Sequence, residues 1–534
     1  MRRGPIAAAG GAAVAGAVAL TVAVWPGGEG EGATDRPAGG KSAPSAAPTP
    51  TKSYELSKAP RTIPVVREHS AARGPGWRPA EGKGRVVVRD DGLADEARLL
   101  AGELKLRYGG KARPEKGDVE LALTDDDKGE SGTKGGAESY TLSVKGQQVR
   151  IAAPAEAGVF YGTRTLKQEV SGGGTAPEGV VRDRPAKPQR GLMLDIARKH
   201  FDAKWIEDRI RELGDLKYNQ LGLHFSDDQA FRVASDSHPE IVSSDHLTKD
   251  QVRGILKLAA SRHITVVPEI DSPGHLGTVI RQHPSLQLRN ARGAATQGAL
   301  DISEPAAAKI VDDLLEEYAE LFPGAYWHLG ADEYQALTVK NPEASYPQLA
   351  AAARERYGPG ARVQDLATGW LNDRADTVRK HEKKPKAWND GFFRGGTAEA
   401  ADDLEVAYWT GKEIGAREPD EYLKAGRKLT NYNDEYLYYV LGQPQTFRYP
   451  TGQRIYESWT PLVVRGTRPV SERYDDQILG GSFAVWGDIA GAQNQEQVAQ
   501  GIRMPLRATV QKLWDPRKPT LAWNDFVKLA DTVG

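Results

Sequence analysis

Hydrophobic periodicity gives the chain from residue 190 onward a repeating pattern. Short apolar runs with the length of buried strands alternate with longer segments whose apolar residues recur at helical spacing. Such alternation predicts a parallel sheet, and eight repeats in about 300 residues predict an α/β fold, a (β/α)₈ barrel over residues 186–534. A doubly wound sheet is the alternative, although no glycine-rich phosphate loop follows any run. The eight runs are RGLMLDIA, LGLHFSDD, ITVVPEID, YWHLGADE, KPKAWND, EVAYWTG, KLTNYND and GSFAVWGD.

Residues 60–185 have a shorter and more mixed pattern. Four runs, GRVVVRD, VELALTD, YTLSVKG and QVRIAAP, have the length and composition of strands. Two segments, DEARLLAGELKLRYG and EAGVFYGTRTLKQEV, have the spacing of amphipathic helices. We therefore predict a small α+β domain with mostly antiparallel strands in front of the barrel.

The N-terminal segment has the pattern of a secretory signal over residues 1–25. Two arginines precede an apolar run from about Ile6 to Trp25. A retained membrane anchor is the alternative, because the run approaches the span of a bilayer; its glycines and small residues favour cleavage. Residues 26–59 are rich in Gly, Pro, Ser and Ala, which predicts a disordered linker. We expect a secreted, extracellular protein without a stable membrane partner.

Composition narrows the classes of function. The 534 residues are 39% hydrophobic and 27% charged, which suits a large globular core. The net charge of −1 gives no reason to expect nucleic acid or an anionic membrane as a partner. Since the chain has no cysteine, disulfides, thiolate metal sites and a cysteine nucleophile are excluded. No cofactor is expected.

Polar or aromatic residues end seven of the eight strand-like runs. In a (β/α)₈ barrel the C-terminal strand ends form the active-site face. Carboxylates accept hydrogen bonds from hydroxyl groups, and indole rings stack on the apolar faces of a pyranose. The pattern therefore predicts a sugar site at one mouth of the barrel. The residues are Asp195, Asp227, Asp228, Asp271, Asp332, Glu333, Trp388, Asp390, Trp409, Trp486 and Asp488.

A metal centre is the alternative for part of this set. His224, Asp227 and Asp228 offer metal-binding side chains, but the His-x-His pair expected after the first strand of metal-dependent barrel hydrolases is missing. We therefore predict no metal at the catalytic face. His328 is interpreted as a buried structural residue.

Four segments of the chain form a recognisable set of motifs: RGLMLDIARKHF (190–201), LHFSDDQ (223–229), PEIDSPGH (268–275) and HLGADE (328–333). In this order they resemble glycoside hydrolase family 20, the β-N-acetylhexosaminidases and their relatives, and the resemblance covers about residues 60–520. The resemblance implies retaining hydrolysis of glycans that contain N-acetylhexosamine. In such substrate-assisted catalysis, the acetamido oxygen of the sugar attacks its own anomeric carbon.

The resemblance also implies roles for the acidic pair and a tyrosine. Glu333 would be the general acid and later the general base. Asp332 would hold the acetamido N–H and stabilise the positive charge that develops there. Tyr436 would donate a hydrogen bond to the acetamido oxygen.

Other residues are carried over as substrate-binding or supporting groups. Arg190 would bind the hydroxyl groups at C3 and C4, although the start of a barrel strand favours a structural role. Asp227 and His275 would form a relay that tunes the pKa of Glu333. The indoles that would enclose the sugar and its acetamide are those of Trp388, Trp409 and Trp486.

Two departures from the family pattern affect the outer pocket. Tyr438 stands where many family members have an acid, and Asp488 stands where many have Glu. These departures resemble the lacto-N-biosidase branch, which releases a disaccharide. We expect a glycosidase that removes terminal β-linked N-acetylhexosamine, with a lacto-N-biosidase as one alternative. A non-catalytic amino-sugar-binding protein is the other, and the intact set Asp332, Glu333 and Tyr436 argues against it.

Overall fold

The computed structural model describes residues 53–124, 136–412 and 416–533, and Tyr54–Gly534 form one compact unit. The predicted signal and residues 26–52 of the predicted linker lie outside the described residues. The last part of the predicted linker is packed: Ser57 N donates to Ala72 O at 3.0 Å, and Ser57 Oγ donates to Glu178 O at 2.5 Å. The compact unit therefore begins before residue 60.

The small α+β domain is confirmed, and within the described residues it contains one seven-stranded sheet. The elements are β1 (Glu68–Ala71), β2 (Arg85–Val88), α1 (Ala94–Glu103), β3 (Arg107–Tyr108), β4 (Val119–Leu123), β5 (Tyr140–Lys145), β6 (Gln148–Ala153), α2 (Glu156–Gly173) and β7 (Gly179–Asp183). The strand order is β1-β7-β5-β6-β4-β2-β3. Half of the sheet is parallel, namely β2, β3, β4 and β6, whereas β5 and β7 pair antiparallel with their neighbours. The prediction of mostly antiparallel strands is therefore wrong, because a helical crossover after β2 returns the chain to the same end of the sheet.

The predicted (β/α)₈ barrel is confirmed. In the described part of the chain eight parallel strand positions close into a ring, since the seventh position pairs with the eighth and the eighth with the first. The strands are β8 (Gln189–Asp195), β9 (Gln220–His224), β10 (Thr265–Glu269), β13 (Tyr326–His328), β14 (Lys384–Trp388), β15 (Glu405–Tyr408), β16 (Leu429–Asn431) with β17 (Tyr438–Val440), and β18 (Ile478–Trp486). Each predicted run overlaps one of the eight strand positions. The seventh position is broken in two: β16 pairs with the start of β18, and β17 pairs with its end.

Helices cover the outside of the barrel, and a small hairpin extends its mouth. The buried faces of the helices pack against the strands in one large apolar core, as their periodicity predicts. The hairpin β11 (Gln287–Arg289) and β12 (Ala295–Leu300) follows the third strand position. The helices are α3 (Ala203–Asp215), α4 (Lys249–Ala260), α5 (Gly277–Gln282), α6 (Pro305–Leu321), α7 (Pro342–Ser345), α8 (Pro347–Tyr357), α9 (Val363–Arg379), α10 (Pro419–Lys424), α11 (Gly452–Ser458), α12 (Gln495–Trp514) and α13 (Trp523–Val533).

The N-terminal domain packs on the face of the barrel where the strands begin, opposite their C-terminal ends. Trp514, the last residue of α12, is fully buried in the core of the N-terminal domain. Its Nε1 donates to Asp183 Oδ1 at 2.9 Å, and its ring lies edge-on to Tyr161 with centroids 5.7 Å apart. The two regions therefore share buried apolar and polar groups.

Among the residues that the structure describes, no helix combines the length and the apolar character that a bilayer crossing demands.

Candidate active site

A cavity of about 310 Å³ opens at the C-terminal strand ends, where the sequence predicts the site. Carboxylates, one guanidinium and two indoles face each other across it. Its lining is Arg198, Asp332, Glu333, Trp409, Thr410, Lys412, Asp434, Tyr438, Val440, Gln445, Thr446, Phe447, Trp486 and Asp488.

A sharp change of backbone direction brings the adjacent residues Asp332 and Glu333 to the same site. After β13 the backbone takes positive φ at Gly330 (67°), Ala331 (76°) and Glu333 (49°), so the alternation of a strand no longer applies. Only glycine fits at 330, because a Cβ there would lie 1.8 Å from Asp271 Oδ1. The turn is held by Ala331 N, which donates to Asp271 Oδ1 at 2.8 Å.

Asp332 is the buried member of the pair. Its side chain is 13% exposed, and its Oδ1 has no hydrogen-bond partner among the described residues. Burial, followed by the nearby charge of Asp271, raises the pKa of Asp332 well above its usual value. Burial also raises the pKa of Asp271 to about 7. Burial and the charge of Asp332 together raise the pKa of Asp390 to about 8.

Glu333 is the exposed member of the pair, and His275 lies beside it. The Glu333 side chain is 46% exposed, and its Oε2 lies 3.4 Å from His275 Nε2. The neighbouring His275 imidazole lowers the pKa of Glu333. Burial alone would lower the pKa of His275, but the carboxylates of Asp227 and Asp332 raise it well above its usual value. Both shifts favour a proton on the imidazole over one on Glu333.

The predicted relay of Asp227 and His275 is assembled. His275 Nδ1 lies 3.5 Å from Asp227 Oδ1, and Arg198 Nη2 lies 2.7 Å from Asp227 Oδ2. Burial opposes ionisation of Asp227, but His275, His224 and Arg198 lower its pKa well below the usual value. Asp227 therefore stays charged behind His275.

A second cavity lies on the far side of Glu333. It has a volume of about 350 Å³, and Glu333 lines both it and the first cavity. A glycosidic bond joins a sugar to a leaving group. With one of them in each cavity, the Glu333 carboxyl group would lie beside the bond between them. The lining is Asp228, Gly274, His275, Gln297, Ala299, Glu333, Gln335 and Thr338.

The three predicted tryptophans occupy different depths. Trp409 and Trp486 line the first cavity, whereas Trp388 is fully buried behind Trp486, with ring centroids 5.9 Å apart. The indole Nε1 of Trp388 donates to Glu269 Oε1 at 2.8 Å. Trp388 therefore supports the wall of the cavity from behind.

Tyr438, rather than Tyr436, faces the cavity. The Tyr438 ring stacks on Trp409 with centroids 5.6 Å apart and an interplanar angle of 6°. Tyr436 is buried in the outer apolar core, where the Arg454 guanidinium lies 4.3 Å from its ring centroid. The predicted position of Tyr436 in the pocket is therefore corrected: it lies in a turn before β17, in which Tyr436 N donates to Asn433 O at 3.1 Å.

Arg190 lies at the opposite end of the barrel from the cavity. Its side chain is fully buried, with Nη1 2.8 Å from Glu138 Oε2 and Nε donating to Lys217 O at 2.8 Å. The predicted contact of Arg190 with sugar hydroxyl groups is therefore corrected. Its guanidinium binds groups of the barrel and of the N-terminal domain and does not reach the cavity. Arg198, which the sequence reasoning missed, follows the C-terminal end of β8 and lines the cavity.

Sequence reasoning also missed the outer side of the cavity. Lys412 Nζ lies 2.6 Å from Asp434 Oδ2, and Phe447 stacks on Tyr438 with centroids 6.3 Å apart. Asp488, by contrast, was predicted, and it lines the same cavity; burial raises its pKa, whereas the charge of Arg198 opposes the rise. The loops that carry Lys412 and Phe447 gave no motif in the sequence.

The alternative metal set of His224, Asp227 and Asp228 is not brought together. Asp228 Oδ1 accepts a hydrogen bond from Gly277 N at 2.9 Å and faces the second cavity. His224 Nε2 instead lies 2.8 Å from Asp227 Oδ2, beside Glu269. Asp271, His275 and Asp332 have donor atoms within 4.8 Å of one another, a spacing that a metal ion also accepts.

A pocket of carboxylates and indoles at the mouth of a (β/α)₈ barrel is typical of enzymes that act on carbohydrates. The family model described as "Glycosyl hydrolase family 20, catalytic domain" matches residues 188–508, and "Glycosyl hydrolase family 20, domain 2" matches residues 59–184. The chain belongs to glycosyl hydrolase family 20.

Individual relatives are similar over much of the chain. A lacto-N-biosidase of Bifidobacterium bifidum is 29% identical over 481 residues, which are 89% of this chain and 42% of the relative. The β-hexosaminidase subunit beta of Rattus norvegicus is 25% identical over 407 residues, which are 74% of this chain and 72% of the relative. The chain thus spans less than half the length of the first of these relatives.

A solved structure has the same fold. It is a mutant β-hexosaminidase of Streptomyces plicatus in complex with its product GlcNAc, and it is 25% identical with a TM-score of 0.69. The match covers 90% of this chain and 95% of that chain.

Proposed function

We propose that this protein hydrolyses terminal β-linked N-acetylhexosamine units, with the acetamido oxygen of the substrate as the nucleophile. One observation carries the proposal: adjacent carboxyl groups face one cavity in opposite surroundings, one buried and one exposed. Asp332 is buried with an unpartnered oxygen, and Glu333 is exposed between two cavities beside a protonated imidazole.

Glu333 is the general acid and base in this proposal. In the free site its pKa is lowered, so its proton resides on His275. A bound glycan covers the exposed Glu333 side chain, and this loss of water favours the neutral carboxylic acid. Glu333 then takes up the proton, gives it to the leaving oxygen and later recovers one from the attacking water.

Asp332, Tyr438 and Arg198 bind the amino sugar. Asp332 accepts the acetamido N–H at its free Oδ1. Once it has given up its proton to solvent, its carboxylate stabilises the positive charge that forms on the ring. Burial and the charge of Asp332 raise the pKa of Tyr438, so its phenol remains protonated and donates to the acetamido oxygen. Arg198 takes the hydroxyl-binding role first assigned to Arg190.

Turnover of an aryl β-N-acetylglucosaminide and of a natural-type glycan tests the proposal. Glu333→Gln should lower turnover of the glycan by roughly 10²–10⁴, the usual size of a general-acid contribution. The aryl glycoside should lose less, because its leaving group needs little protonation. The control is Glu316→Gln, at an exposed position on α6. Normal glycan turnover by Glu333→Gln would remove Glu333 from the mechanism.

A lacto-N-biosidase activity is the second candidate, and the outer side of the cavity favours it. Lys412, Asp434 and Phe447 extend the pocket beyond Tyr438, where a second sugar of a released disaccharide would bind. The Bifidobacterium bifidum relative named lacto-N-biosidase matches 89% of this chain.

The two activities are separated by kcat/KM for an aryl lacto-N-bioside and an aryl N-acetylglucosaminide. A preference of at least about tenfold for the disaccharide, or ~1.4 kcal/mol in barrier, establishes the biosidase. Absence of disaccharide release excludes it. Lys412→Ala should lower kcat/KM for the disaccharide alone if the second sugar contacts the outer pocket.

Export is part of the proposal because residues 1–25 have the signal pattern. N-terminal sequencing of protein recovered from the medium tests it. A mature chain that begins after about residue 25 supports export with cleavage, and recovery only from the cells contradicts it.

A further inference from the structure

Two histidines and a glutamate converge on the surface at a place that the proposed catalysis does not use. His238 and Glu240 lie on the loop between β9 and α4, and His283 directly follows α5. Glu240 Oε1 lies 3.1 Å from His238 Nδ1 and 2.9 Å from His283 Nε2. The donor atoms of all three residues lie within 4.8 Å of one another.

We propose that His238, Glu240 and His283 form a binding site for a divalent transition-metal ion such as Zn²⁺. In a tetrahedral zinc site with bonds of about 2.0–2.1 Å, neighbouring ligand atoms are roughly 3.3 Å apart. The two separations from Glu240 Oε1, 3.1 and 2.9 Å, are close to this value, and the two histidine nitrogens lie within 4.8 Å of each other.

The second nitrogen of His238 has the partner that a metal-bound histidine needs. His238 Nε2 lies 3.3 Å from Asp313 Oδ2, which also lies 2.5 Å from Lys309 Nζ. Metal-ligating imidazoles commonly donate their other N–H to a carboxylate, which fixes the tautomer and the ring orientation. Asp313 therefore leaves Nδ1 of His238 free of a proton and directed at the ion.

The loop that carries His238 is already fixed in place. Ser235 Oγ donates to Glu317 Oε2 at 2.8 Å, and the backbone N of Ser237 donates to the same oxygen at 3.0 Å. Lys249 Nζ lies 2.7 Å from Glu317 Oε1. Binding an ion here consequently orders little additional chain.

The ligand types select the metal. Two imidazoles and one carboxylate suit Zn²⁺, Ni²⁺ or Cu²⁺, whereas Mg²⁺ and Ca²⁺ prefer oxygen ligands throughout. The His238 side chain is 16% exposed and the His283 side chain 33%, so solvent reaches the site and water supplies the remaining position.

The ion would connect two segments that also border the catalytic site. Gly277, the first residue of α5, donates from N to Asp228 Oδ1, and Arg281 Nη1 donates to Asp228 O at 2.7 Å. His275 lies just before α5, and His283 just after it. A bound ion would therefore clamp the far end of α5 and increase stability.

Equilibrium dialysis of chelator-treated full-length protein against Zn²⁺, with metal analysis, tests the site. We expect one ion per chain and a higher melting temperature in its presence. Mg²⁺ should produce neither effect. His238→Ala and His283→Ala should each weaken binding at least about tenfold, and Asp313→Asn should weaken it less, as expected for a group that acts through a ligand.

The matched control is His246→Ala on the same loop, where the ring Nδ1 lies 2.7 Å from Ser243 O. This variant should bind Zn²⁺ like the original protein. The melting temperature of each variant without metal shows that it folds. Failure of the original protein to bind, or binding that survives both His238→Ala and His283→Ala, would overturn the proposal. The metal test measures binding and melting temperature, not turnover. A failure to bind Zn²⁺ therefore says nothing against the proposed glycosidase activity, and a failure of that activity says nothing against the metal site.

Discussion

Asp332 and Glu333 are neighbours in the chain, yet their surroundings push their pKa values in opposite directions. Burial and Asp271 favour the neutral form of Asp332, whereas His275 favours the charged form of Glu333. Titratable neighbours whose pKa values are driven apart are typical of acid–base sites. The sequence predicted the pair but could not predict this difference, which depends on residues from other strand ends.

Tyr438→Phe should reduce turnover of an aryl N-acetylglucosaminide, because the proposal makes the Tyr438 hydroxyl a donor to the acetamido oxygen. We expect a loss of about 10–10³ in kcat, since one such donor contributes up to ~4 kcal/mol. The matched control is Tyr436→Phe, which removes a hydroxyl from the outer core. Equal losses in the two variants would contradict the placement of Tyr438.

His224→Gln should change how stability depends on pH. Burial alone would lower the pKa of His224, but Glu269 and Asp227 raise it to about 10. Because the pKa is raised in the fold, the charge of His224 stabilises the protein fully at pH values below the unfolded pKa near 6.5. This contribution is lost as pH rises toward 10. The destabilisation by His224→Gln should therefore be largest near pH 6 and shrink by at least about 1 kcal/mol by pH 10.

Denaturant unfolding of both proteins across this pH range measures the difference. The half-buried His246, changed to Gln, is the control for loss of a histidine elsewhere. A difference between the original protein and His224→Gln that stays constant or grows with pH would be incompatible with a charged His224.

At the scale of elements, the periodic pattern was sufficient to predict the barrel strands but not the breaks in them. Each of the eight runs contains one strand position, because buried parallel strands are apolar throughout. The turn between β16 and β17 was not visible as a change of pattern, and it turned Tyr436 away from the cavity. The direction of β8 explains why Arg198 lines the cavity and Arg190 does not. Arg190 stands at the start of the strand, and Arg198 follows its end.

Gly330→Ala tests the turn after β13. A Cβ at 330 would meet Asp271 Oδ1 at 1.8 Å, and the residue has φ of 67°. Gly395 has nearly the same φ, 65°, but a Cβ there meets nothing within 4 Å, so Gly395→Ala isolates the backbone strain. We expect Gly330→Ala to lose ~1–3 kcal/mol more stability than Gly395→Ala and to lose most activity.

Chemical denaturation and kcat/KM of the two glycine variants provide the comparison. If Gly330→Ala were as stable and as active as Gly395→Ala, the turn would not need the close approach of Asp271 to residue 330.

At the scale of the whole molecule, the N-terminal domain and the barrel are joined by buried charged groups. Arg190 contacts Glu138 at 2.8 Å, and the buried Lys217 lies 3.5 Å from Asp183. Both domains were predictable from periodicity. The contacts between them were not, because these ion pairs join residues that are far apart in the sequence. The proposed metal site was invisible for the same reason, since His283 is distant from His238 in the chain.

Arg190→Met should therefore be a stability variant. Removing one partner of a buried ion pair leaves the other unpaired and costs about 3–5 kcal/mol. The folded fraction should keep its KM for an aryl N-acetylglucosaminide, because Arg190 lies away from the cavity. Arg198→Met is the comparison, and its KM should rise. A raised KM with unchanged unfolding free energy in Arg190→Met would restore Arg190 to the sugar site.

In the proposed mechanism the substrate's acetamide, held by Asp332, is the nucleophile. The most direct measurement is kcat/KM for aryl glucosaminides whose N-acetyl group carries zero, one, two or three fluorine atoms, since fluorine withdraws electrons from the amide oxygen. If the acetamide attacks, kcat/KM should fall with every fluorine, at least about tenfold over the series, or ~1.4 kcal/mol in barrier. A rate that does not depend on fluorine content, with a glycosyl group trapped on a carboxylate of the protein, would contradict it.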